Sequence, residues 1–142
     1  EVRTISHNLH GIGQANGLYN SLEQLRNVIS SSGRLEMSLF YEIGNEILPE
    51  DLNGELYKMV QELTTNTLKH AQASKIIVQL SLIENVLHLI YDDNGKGFDI
   101  ASTNNGIGIV NVGERIDKFD GNWHIDSKIG RGTTVIINIP LE

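Results

Sequence analysis

The chain has 142 residues, enough for one domain with a substantial hydrophobic core. Its net charge of −7 argues against nucleic acid as the main partner, because phosphate backbones bind basic surfaces. There is no cysteine for a disulfide or a thiolate metal site, and no apolar run approaches the roughly 18 residues of a membrane span. We therefore expect a cytoplasmic domain without membrane contact of its own, even if a full-length protein is anchored elsewhere.

The first residues predict a helix that belongs to a coiled coil or a helical bundle. Val2, Ile5 and Leu9 begin a 3-4-3 heptad seam that continues to Ile12, and glycines 11 and 13 then interrupt it. Such a short seam is unstable alone, and the chain starts inside it without Met, so we expect a fragment of a longer protein.

Apolar periodicity predicts helices and strands over the rest of the chain. Helices are expected at about 17–31, 50–72 and 108–119, and strands at about 35–43, 75–83, 86–92, 122–127 and 133–139. Glu84 and Asn85 supply a hairpin turn between the second and third strands. This order predicts an α+β fold, a two-layer sandwich with helices on one face of the sheet.

Three polar side chains border the apolar arc of the helix predicted at 50–72. On an α-helix, Glu62, Asn66 and Lys69 fall within about 60° of one another, where they could line a cleft between helix and sheet. A solvated helix flank is the alternative interpretation. His70 points closer to the apolar arc, so we expect a half-buried, hydrogen-bonded histidine there.

The stretch "DDNGKGFD" (92–99) follows an apolar strand and is open to several interpretations. Asn-Gly and Asp-rich clusters are common turn sequences. A calcium loop counted from Asp92 would have Lys96 in its fifth position and Thr103 in its twelfth, where a glutamate is needed. Calcium is therefore disfavoured.

Two further glycine-rich stretches follow. "GIGIVNVGERI" (106–116) places Gly106 and Gly108 at the start of a helix, where free amides and the helix dipole favour phosphate. "GRGTT" (130–134) precedes the last strand and, taken alone, indicates only a hairpin turn.

Together these segments resemble the nucleotide-binding boxes of the GHKL ATPase superfamily. ExxxNxxKH on a helix, DxGxG, GxG opening a helix, and GxGT before the final strand occur in the family's order. Within the superfamily, residues 34–142 resemble the catalytic ATP-binding domain of sensor histidine kinases. "QELTTNTLKHAQAS" and the short lid between Gly97 and Gly106 are most similar to the DesK and nitrate-sensor branch. The resemblance implies the Bergerat fold, a mixed five-stranded sheet with three helices on one face.

The resemblance also implies roles for single residues. Asp93 matches the carboxylate that accepts a hydrogen bond from the 6-amino group of adenine, where guanine offers an acceptor instead. Asn66 matches a Mg²⁺ ligand, Lys69 a phosphate contact, and Glu62 a candidate base or orienter. Thr133 would help to bind the base. The implied site for ATP and Mg²⁺ is completed by His70, Gly95, Lys96, Gly97, Gly106, Ile107 and Gly108.

The implied function is transfer of the ATP γ-phosphate to a histidine on a dimerisation hairpin absent from this chain, for relay to a response regulator. Residues 1–13 would end a helix of that hairpin, 14–33 would link it to the catalytic domain 34–142, and the full-length protein would be a homodimer. His7 is followed by Asn8 rather than an acid, so we expect a surface histidine and not the phosphoacceptor.

Proteins with other functions also carry these sequence motifs. A GHKL ATPase of the gyrase B, mismatch-repair or chaperone type would use Glu62 to activate water, although the short lid and the bundle-like leader disfavour it. An anti-sigma serine kinase and a non-catalytic nucleotide-binding module are the remaining alternatives.

Overall fold

The computed structural model describes residues 17–44, 46–97 and 107–141, with the backbone alone at 70–71 and 107–111. Within these ranges lie three α-helices, α1 (Gly17–Ser30), α2 (Glu50–Asn66) and α3 (Ile107–Asp117). The five strands are β1 (Glu36–Glu42), β2 (Lys75–Ile83), β3 (Val86–Asp93), β4 (Asn122–Lys128) and β5 (Gly132–Pro140). The predicted N-terminal seam, His7, the lid and Gly106 lie outside the described residues.

The strands form one mixed sheet in the order β1-β2-β3-β5-β4. β1 and β2 are parallel, whereas the other three neighbouring pairs are antiparallel. The β2–β3 hairpin turns through Glu84 and Asn85, whose φ angles of 51° and 67° match the positive values of a type I′ turn. The predicted mixed five-stranded sheet and its hairpin are confirmed.

The hydrophobic core lies between the helices and one face of the sheet. Alternate residues of β2, Ile76, Val78 and Leu80, are completely buried, as the two-residue period of a strand requires. Each large apolar side chain buried in this way contributes about 1.5–3 kcal/mol. The helices supply Leu18, Leu22, Leu52, Leu56, Met59, Val60 and Leu63 to the same core. The predicted two-layer sandwich is thus confirmed.

The end of the helix predicted at 50–72 differs from expectation. The α-helix ends at Asn66, and a π-helical turn, Thr67–Ala71, continues it before Gln72 adopts a left-handed φ of 53°. A π-turn contains more residues per turn than an α-helix and therefore changes the direction of the side chains that follow. Within the described ranges, no helix has the length and apolar character needed to cross a bilayer.

Candidate functional site

The helix-facing side of the sheet becomes polar at the end of β3. Asp93 pairs with Thr133 on β5, and Thr133 pairs with Ser127 on β4, so all three side chains lie on one face. Asp93 and Ser127 are buried, and the hydroxyl oxygens of Ser127 and Thr133 are 2.8 Å apart. The structure therefore brings two predicted site residues, Asp93 and Thr133, side by side.

The Asp93 carboxylate is held by the protein at both oxygens. The Thr67 hydroxyl donates to Oδ2 at 3.0 Å, and the Gly95 backbone N–H donates to Oδ1 at 2.9 Å. The Tyr91 hydroxyl, two residues earlier on the same face of β3, lies 2.6 Å from Thr67 Oγ1. Because each carboxylate oxygen can accept about two hydrogen bonds, Asp93 keeps acceptor capacity for a ligand.

Asp92 points to the other face of the sheet, although it is adjacent in sequence. Its Oδ1 accepts a hydrogen bond from Thr134 Oγ1 at 2.5 Å, across the β3–β5 pair. Both acids lie within β3, where successive side chains alternate. Of the two acids, Asp93 is therefore the one that faces the helices.

The two glycine-rich turns that follow β3 and β4 are packed against each other. A Cβ on Gly97 would lie 2.1 Å from the Lys128 carbonyl oxygen, and one on Gly132 would lie 2.1 Å from the Asp93 carbonyl oxygen. The Gly130 N–H also donates to the Lys96 carbonyl at 2.7 Å. These contacts hold the backbone from Asp93 to Gly97 against the turn between β4 and β5, and they explain why position 97 is a glycine. The expected role of Gly97 beside the adenine ring stays a prediction.

Asn94, the residue directly after Asp93, is hydrogen-bonded to the start of β2. Its Oδ1 accepts the N–H groups of Ser74 and Lys75, each at 2.9 Å, and its Nδ2 donates to Ser74 Oγ. The Asn94 side chain thereby connects the start of β2 to the end of β3, and it holds the backbone next to the Asp93 carboxylate in place.

Glu62 points toward α3. Its Oε1 lies 3.6 Å from Nε of Arg115, whose Nη1 donates to Glu55 Oε1 at 2.7 Å. The Glu62 side chain is 29% exposed. The sequence-predicted candidate base is therefore part of an ion-pair group between α2 and α3.

Lys69 points elsewhere. It lines a pocket of about 280 Å³ together with Ser32 and Arg34, from the turn between α1 and β1. Asn66, the half-buried last residue of α2, lies directly before the π-turn that contains Lys69. The single polar stripe expected on an uninterrupted α-helix is thus divided, and the phosphate role of Lys69 stays a prediction.

The remaining predicted site residues are described only in part. Ile107 and Gly108 form the first turn of α3, where backbone N–H groups lack partners within the helix. Lys96 is exposed, and its carbonyl accepts the Gly130 N–H. The side chain of His70 and the whole of Gly106 lie outside the described part of the chain.

Sequence reasoning missed four residues that shape this site: Thr67, Tyr91, Arg115 and Ser127. Tyr91 carries a usable signal, because it lies two positions before Asp93 on a strand face otherwise made of leucine. Thr67 carries none, since its contact with Tyr91 joins positions 24 residues apart.

Comparison with known proteins identifies the family. The family model for histidine kinase-, DNA gyrase B- and HSP90-like ATPases matches residues 52–142, a range that contains all the site residues above. The chain belongs to this family. Membership of an ATPase family implies ATP as its nucleotide.

Similar proteins include a histidine-protein kinase/phosphatase and a sensor protein. The signal transduction histidine-protein kinase/phosphatase DegS of Bacillus subtilis is 38% identical over 91 residues, which are 61% of this chain and 24% of DegS. The sensor protein VraS of Staphylococcus epidermidis is 31% identical over 116 residues, which are 81% of this chain and 33% of VraS. The chain therefore spans 24% to 33% of the length of these relatives.

Solved structures share the fold. The histidine kinase domain of the Erythrobacter litoralis blue-light activated histidine kinase superposes with a TM-score of 0.71 at 23% identity, covering 87% of this chain and 61% of that one. This likeness confirms the α+β architecture.

Proposed function

We propose that this chain is the ATP-binding catalytic domain of a two-component sensor histidine kinase. In this proposal residues 34–142 bind Mg·ATP, 14–33 link them to the end of a dimerisation helix at 1–13, and the full-length protein is a homodimer. The names of DegS and VraS support this assignment. A cytoplasmic location follows from the use of ATP as phosphoryl donor.

The observation that carries the proposal is the pairing of Asp93 with Thr133 at the polar end of the helix-facing surface. A buried, oriented carboxylate with remaining acceptor capacity is suited to the 6-amino group of adenine. Guanine carries a carbonyl oxygen at that position, and two acceptors would repel each other. The hydroxyls of Thr133 and Ser127 border the same place and would complete the polar contacts of the base, directly or through water.

The metal would be held mainly by the nucleotide. In the part of the chain that the structure describes, no three His, Cys, Asp or Glu side chains form a cluster that could hold a metal ion. Mg²⁺ typically uses one or two protein oxygens together with substrate phosphates and waters, which fits a single amide oxygen such as that of Asn66. When bound, the ion would neutralise charge on the phosphates.

The residues of this chain would then position the nucleotide more than react with it. Phosphoryl transfer depends chiefly on alignment and charge stabilisation. The amides at the start of α3, with Gly106 and Gly108, would bind phosphate oxygens. Glu62 would orient or deprotonate the attacking imidazole, whose nitrogen forms a bond to the γ-phosphorus as the bond to the bridging oxygen breaks and ADP leaves.

Base recognition is tested by titrating ATP and GTP against the parent, Asp93→Asn and Asp92→Asn. A hydrogen bond to a charged group is worth about 1.5–3 kcal/mol, so Asp93→Asn should weaken ATP binding roughly 10- to 100-fold and reduce the preference over GTP. Asp92→Asn changes net charge equally on the opposite face and should bind ATP as the parent does. Equal losses in both variants would indicate bulk charge, and a loss at Asp92 alone would contradict the assignment.

The reaction class is tested in the full-length protein with γ-labelled ATP. We expect an acid-labile phosphohistidine that Asn66→Ala abolishes together with the Mg-dependent tightening of ATP binding. Acid-stable phosphoserine would instead indicate a serine kinase, and free phosphate without labelled protein would indicate an ATPase. An Asn66→Ala variant that retains the effect of Mg²⁺ on ATP affinity would exclude Asn66 as the ligand.

A further inference from the structure

Three buried polar side chains form a connected group between the end of α2 and β3, in which Thr67 contacts both Tyr91 and Asp93. Tyr91 is 1% exposed, Thr67 4% and Asp93 5%. Thr67 Oγ1 lies 2.6 Å from the Tyr91 hydroxyl and 3.0 Å from Asp93 Oδ2. Both hydroxyls also lie 3.1 Å from the carbonyl oxygen of Leu63. The group joins the π-turn to the strand that ends in Asp93.

The protons in this group can be assigned, because each hydroxyl has only one. The Leu63 carbonyl already accepts the backbone N–H of Thr67. The 2.6 Å contact between the hydroxyls must contain a proton, since two oxygen lone pairs repel at that distance. If Thr67 supplied that proton, its oxygen would present a lone pair to the negative carboxylate of Asp93. Tyr91 therefore donates to Thr67, and Thr67 donates to Asp93.

We infer that Thr67 and Tyr91 are positioning residues for base recognition: Tyr91 sets the hydroxyl of Thr67, and Thr67 holds the Asp93 carboxylate toward adenine. This rests on the proposed function, in which Asp93 reads the base. The Gly95 N–H fixes the second oxygen, so the carboxylate cannot rotate without losing a hydrogen bond. Pre-orientation of this kind lowers the cost of binding.

Tyr91 keeps its proton, and so remains a donor, near neutral pH. Burial raises the pKa of its phenol well above the usual value, and the nearby Asp93 charge raises it further, although the bond with Thr67 opposes this. The chain of donors therefore does not depend on pH near neutrality. Thr67 also follows Asn66 directly, so a shift of this turn would move the base contact and the proposed metal ligand together.

The experiment measures the affinity of the 142-residue chain for ATP and for purine riboside triphosphate, which carries hydrogen in place of the 6-amino group. Thr67→Val removes the hydroxyl at nearly constant volume and should weaken ATP binding roughly tenfold. The affinity for the purine analogue should equal that of the parent, because the analogue lacks the proton that Asp93 accepts. Thr67→Ser keeps the donor and should restore ATP binding.

Tyr91→Phe provides a second variant that leaves Thr67 in place. Without the tyrosine proton, the Thr67 hydroxyl can turn to the Leu63 carbonyl, so ATP affinity should fall by less than in Thr67→Val and again only for the nucleotide with a 6-amino group. Thermal unfolding of each variant shows whether it folds. If Thr67→Val does not fold, the affinities of Tyr91→Phe and Thr67→Ser for ATP and the purine analogue test the inference instead.

Equal losses for ATP and the analogue in Thr67→Val or Tyr91→Phe would overturn the inference, because they would show a structural role alone. Asp93→Asn, measured beside them, separates the two hypotheses. If it fails to reduce the ATP preference, the base assignment of the proposed function is wrong, and the inference is wrong with it. If it reduces the preference while Thr67→Val and Tyr91→Phe match the parent, only the positioning role is wrong.

Discussion

The Nε atom of Arg115 lies 3.6 Å from Oε1 of Glu62, across the interface between α3 and α2. The same guanidinium donates to Glu55 at 2.7 Å. One side chain of α3 is thereby attached to two carboxylates on the helix that carries Asn66. The ion pairs set the spacing between the helix with the proposed metal ligand and the helix with the proposed phosphate amides.

Arg115→Met should therefore destabilise the domain and weaken ATP binding at once. Arg115 is 24% exposed, intermediate between surface pairs worth up to about 1 kcal/mol and buried pairs whose disruption costs about 3–5 kcal/mol. We expect a loss of about 1–3 kcal/mol in chemical denaturation. Lys118→Met is the matched control, because Lys118 is 62% exposed and lies 3.6 Å from the same Glu55. Equal losses of stability and ATP affinity in the two variants would show that removal of a positive charge, and not the position of α3, is responsible.

Glu55 gives the fold a pH dependence of defined sign. Burial raises the pKa of Glu55, but the hydrogen bond and charge of Arg115 outweigh burial and lower the pKa below its ordinary value of 4.5. The unfolded chain then binds more protons than the folded one, so the contribution of Glu55 is complete above pH 4.5 and disappears as the pH falls through the folded pKa. Glu55→Gln should be less stable than the parent at pH 7, with a difference that shrinks in acid. A constant difference from pH 7 to pH 3 would contradict this origin.

The helices, strands and hairpin follow from local patterns, which is why the sequence predicts them well. Period-two alternation marks β2 and β3, and Glu84-Asn85 provides the positive φ angles of the turn. The π-turn has no such signal. Apolar spacing up to Leu63 continues equally well into an α-turn, so Lys69 is expected within about 60° of Glu62 around the helix. In the structure Lys69 lines the pocket next to the α1–β1 turn, whereas Glu62 points toward α3.

The site is predictable only where its residues lie in short motifs. Asp93, Gly95 and Gly97 lie within five consecutive positions, so their spacing can be recognised in the sequence although their tertiary contacts cannot. Arg115 and Glu62, or Thr67 and Tyr91, meet because α2 packs on both the sheet and α3, and such contacts depend on the tertiary arrangement of whole elements. Their partners cannot be chosen from sequence spacing alone.

This chain alone should bind Mg·ATP without phosphorylating itself. His7 is followed by Asn8 and is expected to be a surface histidine, so no residue of the leader matches a phosphoacceptor with an adjacent acid. Incubation with γ-labelled ATP, with binding verified by titration, should leave the protein unlabelled. Acid-labile label that disappears in His7→Gln would show that His7 is the acceptor.

The turn between β4 and β5 allows steric contact with the site to be separated from backbone strain. Gly130 and Gly132 have φ angles of 85° and 89°, so alanine is strained at either position, by about 1–2 kcal/mol. A Cβ at Gly130 meets nothing within 4 Å, whereas one at Gly132 lies 2.1 Å from the Asp93 carbonyl oxygen. Overpacking of this kind adds about 1–3 kcal/mol.

We therefore expect Gly130→Ala to lower stability modestly and to bind ATP as the parent does. Gly132→Ala should lose more stability in denaturant titrations, and its remaining folded protein should bind ATP more weakly, because the β3 backbone must move to relieve the contact and carries the Asp93 carboxylate with it. Comparing the affinities of this variant for ATP and for purine riboside triphosphate shows whether the displaced group is the carboxylate that contacts the 6-amino group. If both alanine variants lose stability and ATP affinity to the same extent, the approach of Gly132 to Asp93 does not position the carboxylate.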